Sequence, residues 1–342
     1  MKRARIFYFD ILKVIAIIFV LITHCNFSLV QRENIVFWFF IEMAVPIFLI
    51  VTGYNLSTSA SNKKITSWKE LYTKNYFFHY LPKILIPYCI YFVFFIILSI
   101  FVFHQSFSFF DVIKLFVCGG NGPGSYYVPL LVQIYIIFPF LYNYFFKRKN
   151  YLLESFCFLV LIQLIYEILA QKYSFDPSFY RLFCGRQLIF INGGIAFFFS
   201  KKKYHLNHIL FLIGLFLVGI FYIFNSHHFP VYIFKSWLTT SMPVFLYLFP
   251  VFILGFFVFK NLKDSFVPSV IRDISNSTYY IFLFQCLYYH FFSTSMQPVT
   301  FPLFFFNVLF CLSVGILWCY IDKKCHKLFL LCRDMFRRTK NS

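Results

Sequence analysis

Ten apolar segments, most of them long enough to cross a bilayer, constrain this chain more than any other feature of its sequence. A helix that spans the hydrocarbon core needs about 20 mostly apolar residues, and it satisfies all its backbone hydrogen bonds internally. We place the segments at 6–26, 35–56, 84–104, 126–146, 151–170, 186–200, 208–224, 240–259, 275–293 and 301–321. The sequence therefore predicts an all-α polytopic membrane protein with about ten transmembrane helices, folded as one domain over 1–342.

The composition excludes a soluble protein. Hydrophobic residues make up 61% of the 342 residues and charged residues 13%, whereas a soluble domain carries about 25% charged residues and needs them to cover its surface. A disordered chain and a disulfide-stapled secreted module are excluded on the same grounds. The ten cysteines form no CxxC pair. We expect free thiols, and Cys118 and Cys184 are the pair that a disulfide would join.

The net charge of +19 is distributed in short basic clusters between the apolar segments. If the N-terminus is cytoplasmic and all ten segments cross the membrane, 23 of the 31 Lys and Arg residues fall on the cytoplasmic side and six on the outer side. This asymmetry is what the positive-inside rule requires. We therefore predict a multi-pass cell-membrane protein with both termini cytoplasmic and a basic cytoplasmic tail from about 322. Its partner is then the lipid bilayer, and nucleic acid is not needed to explain the charge.

Three ionisable residues lie in the first segment: Asp10, Lys13 and His24. Ionisable groups inside a membrane are costly unless they are paired or wetted, so each is a functional candidate. On a helix, the eleven-residue step from Lys13 to His24 ends about 20° past three full turns and about 16 Å along the axis. Both residues thus share one stripe, and Asp10 lies one turn before Lys13 and can pair with it. The alternative is a satisfied Asp10–Lys13 pair and an interfacial His24.

The second segment carries a carboxylate, Glu42, about 10 Å in from its outer end on a helix rise of 1.5 Å per residue. A carboxylate at this depth could orient His24 or hold a substrate hydroxyl. It could equally make a helix-packing hydrogen bond.

Several stretches together carry a recognisable pattern. Lys13 is followed by ten residues and then His24, and the second segment contains Val45-Pro46-Ile-Phe48 and Thr52-Gly53-Tyr54. Two later stretches read YYVPLLVQIYIIFP from Tyr126 and SNSTYYIFLFQ from Ser275. This combination resembles membrane acyltransferase family 3, whose members O-acylate extracytoplasmic carbohydrates. The resemblance implies ten helices and an enzyme that is an acyltransferase for groups other than aminoacyl groups.

The chain departs from the family pattern at two places. Gln285 stands where the family usually has histidine, so this position cannot supply a base. The third helix of the family often opens with two arginines before a proline, whereas this chain has Tyr80 and Lys83 before Pro87. Lys83 alone keeps the charge there.

The resemblance assigns roles to particular residues. His24 is the histidine placed to act as general base, because an imidazole titrates near neutrality, and its partner is Glu42 or Asp10. Lys13 and Lys83 are expected to meet the phosphates of the co-substrate, acetyl-CoA or another acyl-CoA, with no tightly bound cofactor. The acceptor is a surface polysaccharide or a lipid-linked glycan precursor. The candidate acceptor-binding residues are Tyr127, Gln133, Arg181, Arg186, Asn192 and Gln285.

Alternatives remain at this stage. Arg181, Arg186 and Asn192 either bind an acidic sugar or tie down an outer loop. A covalent acyl intermediate on His24 is possible, and Cys25 is a weaker carrier. His205 with His208, and His227 with His228, lack the cysteine or carboxylate ligands that would complete a zinc site, so no metal is expected. A non-enzymatic polysaccharide or lipid exporter is the rival function, and a glycan polymerase is disfavoured because the largest outer loop has no arginine.

Overall fold

The computed structural model describes residues 6–28, 30–31, 43–65, 67–147, 151–200, 212–221, 242–259, 268–292 and 299–340. The predicted partner Glu42 and the histidine pairs His205 with His208 and His227 with His228 lie outside these described residues. All regular structure in the described ranges is helical. The predicted all-α class is therefore confirmed.

Thirteen helices follow one another along the described ranges. They are α1 Phe7–His24, α2 Ala44–Asn62, α3 Trp68–Leu71, α4 Lys74–Ile97, α5 Phe109–Cys118, α6 Tyr127–Lys147, α7 Tyr151–Lys172, α8 Pro177–Leu182, α9 Leu188–Ser200, α10 Leu212–Phe221, α11 Met242–Phe259, α12 Ser269–Phe291 and α13 Phe301–Lys340. A π-helical turn at Leu98–Val102 extends α4, and a short 3₁₀ turn at Cys184–Arg186 precedes α9.

Each of the ten predicted segments overlaps one of these helices. Five helical stretches are long and apolar enough to cross a membrane: Phe7–His24, Lys74–Val102, Tyr127–Phe145, Glu154–Lys172 and Phe301–His326. Shorter apolar helices occupy Leu188–Phe199, Leu212–Phe221 and Val244–Phe259. A membrane protein is therefore supported, whereas ten crossings and cytoplasmic termini stay predictions.

Several helices extend beyond the predicted apolar segments. The helix α4, which corresponds to the third predicted segment, begins at Lys74, ten residues before the predicted start. Thr73 caps it by accepting a hydrogen bond from the Tyr76 backbone. The last helix, α13, continues to Lys340, so the basic tail predicted from about 322 is helical. Hydropathy identifies only the apolar part of a helix, which lies in the hydrocarbon core of the membrane. It does not detect polar turns at either end of the helix.

The helix α1 lies at the centre of the bundle, packed between α2 and α12. Its buried face includes Ala16, Ile17, Val20 and Leu21. Because both neighbours are fixed against this helix, the polar residues that α1 carries are held at defined positions within the bundle.

Among the described helices, α2 and α9 make the most extensive contact, and two glycines allow their close approach. A methyl group at Gly53 would overlap the carbonyl oxygen of Ile191, and one at Gly194 would overlap that of Ile50. Small residues that bring backbones together are typical of helix pairs in membranes, where dispersion contacts replace the hydrophobic effect as the driving force.

The outward faces of the helices are apolar. Phe301, Phe305 and Leu309 of α13 and Leu161 of α7 are all exposed. Exposed apolar surface of this extent would be a liability in water. It is the surface that a bilayer covers.

Candidate active site

A cavity of about 1060 Å³ lies at the C-terminal end of α1 and holds His24, the last residue of that helix. Its walls come from α5, from Arg181 of α8, from the end of α12 and from the segment between α5 and α6. We call it the larger cavity. Its volume is at the upper end of the range usual for ligand sites, so it can accept a molecule larger than a single monosaccharide.

The segment Gly119–Ser125, here called the glycine-rich loop, forms the wall beside His24. Gly119, Gly120 and Gly124 have φ angles of 94°, 93° and 81°, which residues with a Cβ atom rarely adopt. A methyl group added at Gly124 would lie 3.4 Å from Nε2 of His24. Glycine at this position therefore lets the loop backbone approach the imidazole.

Hydrogen bonds from α12 hold the glycine-rich loop in place. Gln285 Nε2 and Cys286 Sγ both donate to the carbonyl oxygen of Pro123, at 3.2 and 3.3 Å. Within the loop, Ser125 Oγ donates to the Gly120 carbonyl oxygen at 3.1 Å. Gln285, a predicted acceptor-binding residue, is fully buried and acts here as a support for the loop.

The helix α5 presents two different faces. Asp111, Lys114, Leu115 and Cys118 line the larger cavity, and their spacing of three, four and seven residues places them on one side of a helix. The opposite side is apolar, with Phe109 75% exposed. This helix thus closes the cavity with its polar face and turns its apolar face outward.

A capping box starts α5 and fixes the charge of Asp111. The hydroxyl and backbone N–H of Ser108 both donate to Oδ2 of Asp111, at 2.7 and 3.0 Å. These hydrogen bonds lower the pKa of the Asp111 carboxyl below its usual value. The larger cavity therefore contains one firmly ionised carboxylate together with the cations Lys114 and Arg181.

A second imidazole, His290 near the end of α12, also lines the larger cavity. Its ring centroid is 5.3 Å from that of Phe95 in α4, and the Asn121 backbone is its hydrogen-bond partner. His24 was predicted from the sequence, whereas His290 was not. No linear pattern joins the two residues, since the packing of α1 on α12 brings both to the same cavity.

Cys25 also faces the larger cavity, and its thiol is engaged. Its Sγ donates to the Leu21 carbonyl oxygen at 3.3 Å and lies 3.2 Å from the hydroxyl of Tyr289. The thiol is 1% exposed. Cys118 and Cys184 are both free thiols, so the disulfide considered from the sequence is not formed.

A smaller cavity of about 240 Å³ lies farther along α1 and brings together Lys13 and Lys83, the two predicted donor-binding residues. Tyr127, Tyr135 and Thr278 also line it. Lys83 Nζ is 3.1 Å from His79 Nε2. Because α1 is continuous over Phe7–His24, Lys13 lies about 16 Å from His24 along the axis, as the spacing predicted.

Asp10 is placed away from His24. The fourteen-residue step from Asp10 to His24 corresponds to about 21 Å of helix, too far for the direct partnership that was one of two options. Asp10 is 3% exposed and accepts a 2.5 Å hydrogen bond from Ser275 Oγ. It thus ties α1 to α12.

The predicted acceptor-binding residues separate into three groups. Arg181 lines the larger cavity with His24, whereas Tyr127 lines the smaller one. Gln133 supports the segment before α9, because its Nε2 donates to the Leu182 carbonyl oxygen at 2.7 Å and its Oε1 accepts from the Cys184 N–H at 3.1 Å.

The remaining two of these residues, Arg186 and Asn192, are buried. The Arg186 guanidinium lies 4.0 Å from the Tyr180 ring centroid, and its Nε is 3.8 Å from Oε1 of Glu167. Asn192 Nδ2 donates to Ser155 Oγ at 3.1 Å. These contacts favour a structural role for both residues, since Arg186 holds the segment before α9 and Asn192 joins α9 to α7.

Comparison with known proteins gives one match. A family model of acyltransferase family 3, described as an acyltransferase domain, matches residues 6–321. No curated protein and no solved structure matches the chain. The matched region includes α1, both cavities and the glycine-rich loop.

Proposed function

The chain belongs to acyltransferase family 3, and we propose that it transfers an acyl group from acyl-CoA to a hydroxyl of a surface polysaccharide or of a lipid-linked glycan precursor. The acyl group that we propose is acetyl. The observation that carries the proposal is the arrangement along α1, with two lysines in one cavity and His24 in the other. We place the N-terminal end of α1 at the cytoplasmic side, so the lysine cavity faces the acyl-CoA supply.

The smaller cavity suits the donor. Lys13 and Lys83 supply positive charge for a phosphate-bearing carrier, and lysine is a common phosphate ligand. A volume of about 240 Å³ is below that of a site for a whole drug-sized molecule, so it takes the acyl-bearing end of the coenzyme. The nucleotide end then lies outside this cavity, toward the cytoplasmic surface.

The larger cavity suits the acceptor. It is wide enough for a glycan segment, and its charged and amide groups, among them Asp111, Lys114, Asn121 and Arg181, can hydrogen-bond sugar hydroxyls. His24 lines this cavity beside the glycine-rich loop. A hydroxyl of an acceptor bound here can reach His24.

The chemistry follows from these placements. Nε2 of neutral His24 accepts the proton of the acceptor hydroxyl while the oxygen attacks the thioester carbonyl carbon. The new C–O bond forms, the C–S bond breaks, and the proton passes from His24 to the departing CoA thiolate. The products are an O-acylated glycan and free CoA. The positive charge of Arg181 in the same cavity favours the oxyanion that forms on the way.

The test is a chemical analysis of the surface glycan from wild-type, deletion and His24→Ala strains, scored by NMR for ester-linked acyl groups. His104→Ala is the matched control, because His104 is exposed and lines neither cavity. We expect the deletion and His24→Ala to lose one acyl signal at normal polymer yield, and His104→Ala to keep it.

The rival exporter function predicts the opposite pattern. An exporter mutant loses surface polymer and keeps the acylation of whatever polymer remains. Unchanged acylation in the deletion strain would overturn our proposal, whether or not polymer yield falls.

A further inference from the structure

The larger and smaller cavities approach each other at one aromatic residue, Phe282 of α12. Its ring lines the smaller cavity and is 4% exposed. A methyl group added at Gly124 would lie 3.5 Å from this ring and 3.4 Å from Nε2 of His24. The Phe282 ring and the His24 imidazole are therefore at most about 7 Å apart, and both lie beside Gly124.

Tyr127 of α6 completes this boundary. Its ring packs edge-on against Phe282, with the centroids 5.2 Å apart, and it also lines the smaller cavity. Val20 lies one turn before His24 on α1 and lines the same cavity. The smaller cavity thus reaches within about 6 Å of His24 along the helix axis and ends at Phe282 and Tyr127. We call Phe282, Tyr127 and Gly124 the partition.

The partition leaves little room between the two sites. Nonbonded carbon atoms make contact at about 3.5–4.0 Å, so two groups no more than about 7 Å apart accommodate at most one layer of atoms between them. An acetyl group is one such layer, whereas a longer acyl chain must fold back into the smaller cavity or displace an aromatic ring. The boundary is also apolar, which keeps water and ions of the larger cavity away from the thioester.

From this geometry, and resting on the function proposed above, we propose that Phe282 determines acyl-group specificity by restricting which acyl groups can reach His24. Phe282 takes no proton and forms no bond in the reaction. The bonds that change are the C–S bond of the thioester and the C–O bond of the product ester. Its role is to set the size of the passage through which the acyl carbonyl meets the acceptor hydroxyl, with Tyr127 as its support.

The experiment measures acyl-chain selectivity in membranes that contain the native glycan acceptor. Membranes with the wild-type chain, Phe282→Ala, Phe282→Leu or Phe284→Ala receive equimolar radiolabelled acetyl-CoA and hexanoyl-CoA, and ester-linked label on the glycan is resolved by chain length. Phe284→Ala is the matched control, since Phe284 lies on the same helix and packs on Tyr288 and Phe310 with ring centroids 6.1 and 5.6 Å away.

We expect the wild-type chain to prefer acetyl over hexanoyl by at least about 100-fold, as a tight apolar pocket discriminates by about 10- to 200-fold per methylene. Phe282→Ala lowers this ratio at least tenfold and Phe282→Leu lowers it less, while Phe284→Ala keeps the wild-type ratio. Phe282→Leu keeps most of the apolar volume, so it reports on the passage even where Phe282→Ala fails to fold.

Two different failures can be told apart. If wild-type membranes transfer acetyl but the ratio is unchanged in both Phe282 variants, the role of Phe282 is wrong and the proposed function stands. If wild-type membranes transfer no acyl group from either donor to the glycan, the proposed function itself fails, and the role of Phe282 fails with it.

Discussion

Gln285 of α12 donates a hydrogen bond from Nε2 to the carbonyl oxygen of Pro123, 3.2 Å away in the glycine-rich loop. One residue on, the backbone of Cys286 lies so close to Gly122 that a methyl group there would stand 2.6 Å from the Cys286 carbonyl oxygen. Gly124, two residues farther along the loop, faces His24. The position of the loop beside the imidazole is therefore set from α12.

Replacing Gln285 tests this support. Gln285→Leu removes the amide donor and leaves the Pro123 carbonyl with the weaker hydrogen bond of the Cys286 thiol, and loss of a typical hydrogen bond costs about 0.5–1.5 kcal/mol. We expect the transfer rate to fall about tenfold or more while acetyl-CoA binding is unchanged, because the smaller cavity is untouched. Gln285→His can still donate from a ring N–H and should keep more activity than Gln285→Leu. Equal activity of the two variants would contradict the role of the hydrogen bond.

Gly124→Ala tests the contact between the loop and His24. The φ angle of 81° is unfavourable for alanine, and the added methyl group would fill the space between His24 and Phe282. We expect kcat for acetyl transfer to fall at least about tenfold with little change in acetyl-CoA binding. Gly214→Ala is the control, since nothing lies within 4 Å of a methyl group there. Wild-type kcat in Gly124→Ala would show that this space is not used.

Arg181 and Arg186 lie five residues apart, and replacing each by alanine should affect a different property. The first replacement should weaken acceptor binding and the second should lower stability. Arg181 is exposed and lines the larger cavity, so Arg181→Ala should raise KM for the glycan acceptor and leave the unfolding temperature unchanged. Arg186 is 1% exposed and lies beside buried Glu167. Arg186→Ala removes a buried cation from a carboxylate, and a loss of about 3–5 kcal/mol in unfolding free energy is typical of such a change.

Thermal unfolding in detergent and acceptor titrations with each variant check this pair. An unchanged acceptor KM in Arg181→Ala would remove Arg181 from the acceptor site. An unchanged unfolding temperature in Arg186→Ala would show that its contacts with Tyr180 and Glu167 do not stabilise the fold.

Hydropathy located the helices because a spanning helix must be apolar for about 20 residues, and this requirement is local in sequence. The same scan missed the polar first ten residues of α4, which carry Lys74 and His79. It also could not predict α5, since a ten-residue amphipathic helix with Asp111 and Lys114 on one face resembles an outer loop by hydropathy alone.

Site residues that lie on one helix could be predicted from the sequence. Site residues that are brought together by the packing of different helices could not. The stripe that joins Lys13 to His24 follows from helical periodicity, and the structure places the two residues in successive cavities. His290 lines the same cavity as His24 because α12 packs on α1. Sequence alone likewise could not distinguish Arg181, which faces a cavity, from Arg186, which is buried five residues later.

Gly53 of α2 and Gly194 of α9 allow these two helices to approach closely. We predict that replacing either glycine lowers stability strongly, although both are remote from the candidate active site. Gly53→Ala and Gly194→Ala would each drive a methyl group into a backbone carbonyl of the facing helix, and a backbone atom cannot move aside as a flexible side chain can. We expect each variant to lower the unfolding temperature and the yield of folded protein, with overpacking costs of about 1–3 kcal/mol or more. Gly214→Ala should be neutral or slightly stabilising, because a helical alanine is favoured over glycine. Wild-type stability of both variants would show that the helices are farther apart.

Alkylation of Cys118 and Cys184 gives a pH-dependent test. Burial raises the pKa of the Cys184 thiol from 9.0 to about 11, whereas Cys118 is partly exposed in the larger cavity. Only the thiolate reacts, so iodoacetamide should label Cys118 at pH 7.5 and leave Cys184 largely unmodified. The Cys184 rate should rise about tenfold per pH unit without levelling off up to pH 9.5. Because its folded-state pKa is raised, the neutral thiol favours the folded state below about pH 9, and this contribution is lost as the pH rises toward about 11.

Mass spectrometry of peptides from detergent-purified protein checks both sites, with Cys184→Ser identifying the signal of Cys184. Full labelling of Cys184 in denaturant, against protection in the native protein, shows that burial and not chemistry protects it. Two results would contradict the structure. A Cys184 rate that levels off near pH 9 would place the thiol in water. A disulfide between Cys118 and Cys184 under non-reducing conditions would contradict the two free thiols of the structure.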